Sequence, residues 1–369
     1  MDFNWILIRY GEIGLKSSYV RRSFENRLME NIRRGLENKG IDGKVQRGYG
    51  RIFLNTTETN KASELLKKIF GVVSFSPCVK IEAEFEGIVE KLVELGEEKI
   101  SEEDSFAVRV RRTGEHGFSS KDIEEEAGRI ILEKTNSEVN LDRPDFKIMA
   151  DVRQGQCYIF GEKTPGPGGL PLGTQGKVVS LITGDCGSFL STWMMMKRGC
   201  SVVVLHGKMD PYGDIEIDRT IEELGRWSHG SSVDVIDFDH GMNLFNIKEE
   251  GERGYTCILC KRLLLRVAER VAEKVDASAI VTGEWMEDNL GEMKFTDSSV
   301  EIPVVRPLIG MNRNEVREMC RNIPGDTFPM TKVCEAMETG KFKVEKERLE
   351  EIESRLNIDE LVEDALEAR

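Results

Sequence analysis

Two short stretches carry residue types that could do chemistry. The first is YTCILCKRLLLRVAERVA, residues 255–272, where Cys257 and Cys260 form a C-x-x-C pair at the start of a run with helical apolar spacing. A helix N-terminus, with Lys261 and Arg262 next in sequence, favours thiolates. Thiolates serve metal binding, redox exchange or persulfide chemistry; incidental burial is the other reading of such a pair. Two sulfurs do not complete an iron–sulfur or zinc site. Cys334, in the polar stretch TKVCEAMETGK, is a candidate third ligand. Cys78, Cys157, Cys200 and Cys320 stand in apolar surroundings and read as structural.

The second stretch is SLITGDCGSFLS, residues 180–191. An apolar run ending at Leu181 and Ile182 breaks at a small polar turn, and apolar residues then resume at helical spacing. A glycine-bearing turn between strand and helix is a ready anion site, because unpaired N–H groups point into it. Asp185 sits in that turn, where a carboxylate repels phosphate. The loop therefore reads either as a working phosphate site of altered type or as the remains of one.

The elements that must position these residues follow from the spacing. The second half opens with strand, turn, helix and a second buried strand at 201–205. A strand at 233–238, a helix at 258–275 and a buried strand at 278–282 come later. This alternation predicts an α/β fold with a doubly wound parallel sheet, whose ligands sit at the carboxyl ends of the strands. The loops after Ile182, Leu205 and Thr282 would then meet in one crevice. The tail from Val344 reads as a charged helical cap. The first half alternates strands (5–9, 51–54, 74–81, 106–110, 146–150, 156–160) with helices (18–38, 61–70, 88–100, 120–135), as two small α+β modules do. Between the halves, TPGPGGLPLGTQGK disfavours regular structure and reads as a linker or extended crossing.

The chain of 369 residues carries a net charge of -14, which argues against a general nucleic-acid binder. The charge is uneven: residues 1–60 hold 11 Lys and Arg against 7 Asp and Glu. A locally basic face senses nearby phosphates more than the molecular total does. No apolar run reaches the roughly 18 residues that span a membrane. MDFNWILIRYGE shows no basic leader, so a cytosolic (cytoplasmic) protein is expected, with cysteines used for chemistry rather than as disulfides.

The chain resembles the tRNA 4-thiouridine synthetase (tRNA sulfurtransferase) family across nearly its whole length. The stretches that carry the resemblance are RYGEIGLKSSYVRRSFENRLMENIRR, FAVRVRRTGEHGFSSKDIEEEAG, GPGGLPLGTQGK, MMMKRGCSVVVLHG, YTCILCKR, AIVTGE and VVRPLIGMNRNEVREM. The resemblance implies a ferredoxin-like domain over 1–60, a THUMP domain over 61–165, a linker at 166–176, a PP-loop ATP pyrophosphatase domain over 177–343 and a helical tail at 344–369. In that scheme the first two domains hold tRNA. The third uses ATP and Mg2+ to adenylate the uridine carbonyl at position 8, and sulfur displaces AMP. Leu181, Ile182, Thr183, Gly184, Ser188, His206, Gly207, Lys261 and Gly283 would line the nucleotide crevice. Cys257, Cys260 and Cys334 look like the archaeal-type branch, in which three cysteines hold an iron–sulfur cluster with one iron open. No rhodanese-like stretch follows, so sulfide or a sulfur-donor protein is the expected sulfur source. The family often forms a homodimer.

Two segments depart from the family pattern. Its S-G-G-x-D-S loop reads Thr183, Gly184, Asp185, Cys186, Gly187, Ser188 here. After Thr282-Gly283-Glu284, a Gln-rich segment is replaced by Trp285-Met286-Glu287-Asp288-Asn289. In one reading Asp185 takes over the missing carboxylate's role and ATP is still used. In the other, the chain is a non-adenylating tRNA-binding or iron–sulfur relative. Lys16, Arg21, Arg22, Arg109, Arg111, Arg112 and Lys121 are the candidate tRNA contacts, Arg109 and Arg111 alternating on one strand. The bland reading of these cations is solvated strand-edge charge.

Overall fold

The computed structural model describes residues 1–48, 50–213, 217–229, 233–285, 290–323 and 344–367. They form two units, Met1–Pro171 and Leu172–Arg369.

The first unit runs β1 (Trp5–Arg9), α1 (Ser18–Asn38), β2 (Lys44–Gly48), β3 (Arg51–Asn55), α2 (Thr59–Leu66), β4 (Ser74–Glu82), α3 (Phe85–Lys99), β5 (Ser105–Thr113), α4 (Ser120–Thr135), β6 (Glu138–Val139), β7 (Phe146–Arg153), β8 (Gln156–Phe160) and β9 (Thr164–Pro165). Helix α1 forms because Phe24, Leu28, Ile32 and Leu36 recur every four residues and give one buried stripe. Helix α4 starts at a capping box in which Ser119 and Asp122 exchange side-chain-to-backbone bonds. The strands join one nine-stranded sheet in the order β2-β3-β1-β4-β8-β7-β5-β6, with β9 on β4. Strand period decides which side is covered. Ile6, Ile8, Ile52 and Leu54 meet α1 and α2, while Phe106, Val108, Ile148 and Ile159 meet α3 and α4. The opposite side carries Leu7, Phe53, Tyr158 and Phe160. β2 has no counterpart in the sequence reading, because in KVQRG only Val45 is buried.

The second unit runs β10 (Lys177–Leu181), α5 (Cys186–Lys197), β11 (Ser201–Lys208), α6 (Asp218–Trp227), β12 (Asp234–Asp239), α7 (Gly241–Glu250), α8 (Thr256–Val275), β13 (Ile280–Val281), α9 (Leu290–Asp297), β14 (Val304–Val305), α10 (Arg313–Asn322), α11 (Lys346–Leu356) and α12 (Ile358–Glu367). Its five strands are parallel in the order β12-β11-β10-β13-β14. The chain winds outward from β10 on one side and returns at β13 on the other. The switch point therefore lies between β10 and β13, where α/β sheets open a crevice. The tail is part of the core: Leu349, Ile352, Leu361 and Val362 pack with Leu259, Leu263 and Val267 of α8.

The Gly/Pro segment is tied at both ends. Gly166 and Gly168 donate to the carbonyls of Val73 and Val72 at 2.9 and 2.8 Å, and Gly173, Thr174 and Gln175 converge on the carbonyl of Gly199. Among the described residues, no helix is long and apolar enough to cross a membrane.

Candidate functional site

β10 ends with the N–H of Ile182 donating to the carbonyl of Leu205 at 3.0 Å, so the strand stays paired up to the turn. Gly184 takes φ 68°, the left-handed region that a side chain opposes. Asp185 then caps α5. Its Oδ1 accepts the Ser188 N–H at 2.8 Å and its Oδ2 accepts the Thr183 hydroxyl at 3.1 Å. The Ser188 hydroxyl lies 3.2 Å from the Thr183 nitrogen, whose proton it accepts. Thr183, Asp185 and Ser188 thus close the turn among themselves. The carboxylate stands on the helix N–H groups that bind anions in other proteins. Burial raises the Asp185 pKa, outweighing the bonds from Ser188, Thr183 and Gly187 that favour the ionised form. A half-buried carboxylate of this kind carries negative charge that fits a cation.

Gly187, where the family pattern carries aspartate, has no room for a side chain. A Cβ there would lie 2.7 Å from the Gly283 carbonyl oxygen and 2.6 Å from the Trp285 ring. A Cβ on Gly283 would lie 2.4 Å from the Ser188 nitrogen. The first turn of α5 and the loop after β13 therefore meet backbone to backbone, and the indole fills the space beside them. Gly187 and Trp285, one residue from each departure, pack against each other.

His206 is buried at the end of β11, with Nδ1 3.2 Å from the Ile182 carbonyl oxygen. A cavity of about 870 Å³ opens beside it, lined by His206, Lys208, Asp210, Ile217, Ile221 and Asp237 among others. Asp218 and Glu222 also line it, so with Asp210 and Asp237 the cavity is acidic and stands apart from the turn at 183–188. Gly207 presses on His240, which a Cβ at Gly207 would meet at 2.9 Å. The His240 N–H donates to the Lys208 carbonyl at 2.8 Å. Its ring is buried, which lowers its pKa to about 4 and keeps the imidazole neutral. Nε2 lies 3.1 Å from the Cys260 sulfur, and Nδ1 has no hydrogen-bond partner among the described residues.

Cys257 is exposed and Cys260 half-buried in the first turns of α8. The cations beside them are engaged elsewhere. Lys261 lies 3.1 Å from Glu284, which also pairs with Arg306 at 2.8 Å. Burial alone would raise Glu284; Lys261 and Arg306 outweigh it and hold the carboxyl below its usual range. Arg262 is buried against Glu353 at 2.7 Å, so its expected support of the thiolates is corrected: it anchors the tail. Cys334, the expected third ligand, lies outside the described residues. Among the described residues, no three His, Cys, Asp or Glu side chains are arranged to hold a metal ion. Cys257 and Cys260 fit two of the three thiolates of a cluster site.

Cys78, Cys157, Cys200 and Cys320 are buried, and Cys186 of the loop joins them. Burial raises the Cys78 thiol to about 12. The Cys320 sulfur lies 3.9 Å from the Cys186 carbonyl oxygen.

The expected RNA contacts all lie in the first unit. Lys16, Arg22, Arg111 and Lys121 are exposed, while Arg21, Arg109 and Arg112 are half-buried. Arg109 donates to the Leu141 carbonyl at 2.5 Å, and Lys121 pairs with Glu125 at 3.3 Å. Sequence reasoning missed His240. Its signal lay only in its place just past a strand beside β11.

Three family models match the chain: "ThiI ferredoxin-like domain" over residues 5–76, "THUMP domain" over 82–162 and "Thiamine biosynthesis protein (ThiI)" over 173–358. A probable tRNA sulfurtransferase of Methanobrevibacter smithii is 34% identical, covering 100% of both chains. One of Thermococcus kodakarensis is 36% identical, covering 87% of this chain and 88% of its own. A solved 4-thiouridine synthetase–RNA complex with bound ATP superposes with a TM-score of 0.87 at 27% identity, covering 99% of this chain and 98% of that one. PH1313 from Pyrococcus horikoshii Ot3 gives a TM-score of 0.68 at 28% identity, over 87% and 99% of the two chains.

Proposed function

Because the chain belongs to the ThiI family of tRNA sulfurtransferases, we propose that it forms 4-thiouridine at position 8 of tRNA, with ATP held where β10, β11 and β13 end. The chain is an ATP-dependent tRNA sulfurtransferase. The non-adenylating alternative is not favoured, because the likeness to sulfurtransferases runs through both units.

The chemistry has two steps. The uridine O4 attacks the α-phosphorus of ATP and pyrophosphate leaves. A sulfide sulfur then attacks C4, the C4–O bond breaks, and the oxygen departs with AMP. No electrons change hands overall, and an oxide-like leaving group has been exchanged for a phosphate ester. In this reading Thr183, Gly184 and Ser188 form the turn that stands beside the phosphates. Asp185 would hold Mg2+, replacing the carboxylate that Gly187 lacks. Leu181, Ile182, His206 and Gly207 shape the nucleoside side, Gly283 lets the backbone approach, and Lys261 adds positive charge. An iron–sulfur cluster would be held by Cys257, Cys260 and Cys334 and would supply an open site for sulfide delivery. Sulfide or a donor protein is the proposed sulfur source, tRNA the partner, a homodimer the assembly and the cytoplasm the location.

The observation that carries this reading is the direct backbone contact of Gly187 and Ser188 with Gly283, which assembles the altered turn into one close-fitting unit. Its test is tRNA-dependent release of AMP and pyrophosphate by anaerobically purified, reconstituted protein. AMP formed in step with 4-thiouridine is expected. Tight tRNA binding without AMP would overturn the assignment of the turn.

A further inference from the structure

A line of alternating charges runs through the loop after β13. Asp297 of α9 accepts two bonds from Arg306, at 2.6 and 3.0 Å. Arg306, its side chain almost wholly buried, donates its Nε to Glu284 Oε2 at 2.8 Å. The Thr282 hydroxyl donates to the same oxygen at 3.2 Å. Glu284 Oε1 stands 3.1 Å from the Lys261 ammonium of α8. Glu284 directly follows Gly283, whose backbone lies against the Ser188 nitrogen of the turn. The line therefore ends by bringing a half-exposed cation from α8 to the loop that abuts residues 183–188.

A tie that only joined α9, β14 and α8 would need less. Arg306 already has a carboxylate in Asp297, in the two-bond geometry that suits a guanidinium. A second, half-buried carboxylate beside it adds a desolvation cost. Burial would raise the Glu284 carboxyl, and the Lys261 charge, ahead of the Arg306 bond, is what holds it low. Lysine is a point charge on a flexible four-carbon stem, so its place depends on what it is paired with.

We propose that Glu284 is a positioning residue for adenylation, fixing the Lys261 ammonium beside the nucleotide turn while Arg306 and Asp297 hold Glu284 itself. The proposal rests on the reading that this turn holds ATP and that Lys261 lends it positive charge. Glu284 needs no contact with the nucleotide and acts through Lys261. An ammonium set in place beforehand stabilises charge that develops on the reacting phosphate without reorganising at that moment.

The test is a double-substitution cycle on the full-length, reconstituted protein. Single-turnover, tRNA-dependent AMP formation and ATP affinity are measured for wild type, Glu284→Gln, Lys261→Met and the double variant. Glu284→Gln should slow AMP formation about 10- to 100-fold with little change in ATP affinity. In the Lys261→Met background the same substitution should change the rate by less than about twofold. An equal loss in both backgrounds is the mark of a merely structural tie and overturns the proposal, as does a Glu284→Gln variant that matches the wild-type rate; in either case the sulfurtransferase reading stands. Where Glu284→Gln does not fold, Glu284→Asp, which keeps the charge but is one methylene short, goes through the same cycle with the same criteria. If wild type binds ATP and tRNA yet forms no AMP, the adenylation reading falls and the proposal with it.

Discussion

The Nε2 of His240 lies 3.1 Å from the sulfur of Cys260, and the same histidine packs on Gly207 at the end of β11. One buried side chain therefore touches the C-x-x-C pair and a residue of the proposed nucleotide crevice. Its neutral ring has one N–H, and if Cys260 is a thiolate, Nε2 bonds its sulfur as the donor. A ring N–H held against a cysteine sulfur is the kind of contact that orients a ligand and tunes a bound centre.

If Cys257 and Cys260 hold a cluster, His240→Ala should change that cluster rather than the fold of the turn at 183–188. With the protein reconstituted anaerobically with iron and sulfide, loss of an N–H···S bond is expected to move the midpoint potential to more negative values. Iron retention should fall about 10- to 100-fold in affinity. His240→Gln should restore part of both. An unchanged potential and iron content would show that the contact plays no part once the site is loaded.

Gly187 and Trp285 should behave as a coupled pair. Gly187→Asp, which returns the family's residue, is expected to lose about 1–3 kcal/mol through overpacking against the indole and the Gly283 carbonyl. Combining it with Trp285→Ala should cost less than the two single losses added together, by roughly 0.5–3 kcal/mol. Denaturant titration of the three variants measures that coupling. Strict additivity would mean that the two departures are independent.

Much of this architecture is legible in the sequence because buried parallel strands and a four-residue helical stripe leave direct apolar patterns. Val178–Ile182, Ser201–Leu205 and the stripe of α1 are of that kind. β2 was not legible because one apolar residue in five makes no pattern. The clustering of Thr183, Asp185 and Ser188 with Gly283 follows from strand-end logic. The commitment of Lys261 and Arg262 to Glu284 and Glu353 does not, since those carboxylates lie far along the chain and only packing brings them near.

Asp185 has two separable roles. As the cap of α5 it accepts the Ser188 N–H, and Asp185→Ala should cost about 1 kcal/mol of stability. Asp185→Asn keeps a capping oxygen and should leave stability nearly unchanged. If the carboxylate also holds the metal of the nucleotide, Asp185→Asn should still slow AMP formation about 100-fold. Single-turnover assays on Asp185→Asn beside its thermal midpoint separate the two roles. Full turnover by the Asn variant would confine Asp185 to capping.

The tail should make the second unit sensitive to acid. Glu353 of α11 receives Arg262 at 2.7 and 2.8 Å and Arg266 at 2.7 Å, behind the helix that carries Cys257 and Cys260. Burial alone would raise its pKa, but the hydrogen bonds from Arg262 and Arg266 prevail and hold it below the ordinary value of 4.5. A carboxyl depressed in the folded state stabilises fully above its unfolded pKa. That contribution is lost as pH falls below 4.5 and through the folded value. Glu353→Gln should cost about 3–5 kcal/mol near neutral pH, because it strands the buried Arg262. It should also flatten the loss of stability below pH 4.5 relative to wild type. Unfolding midpoints of both proteins across the acid range check this: parallel curves would mean that the depressed pKa belongs to another group.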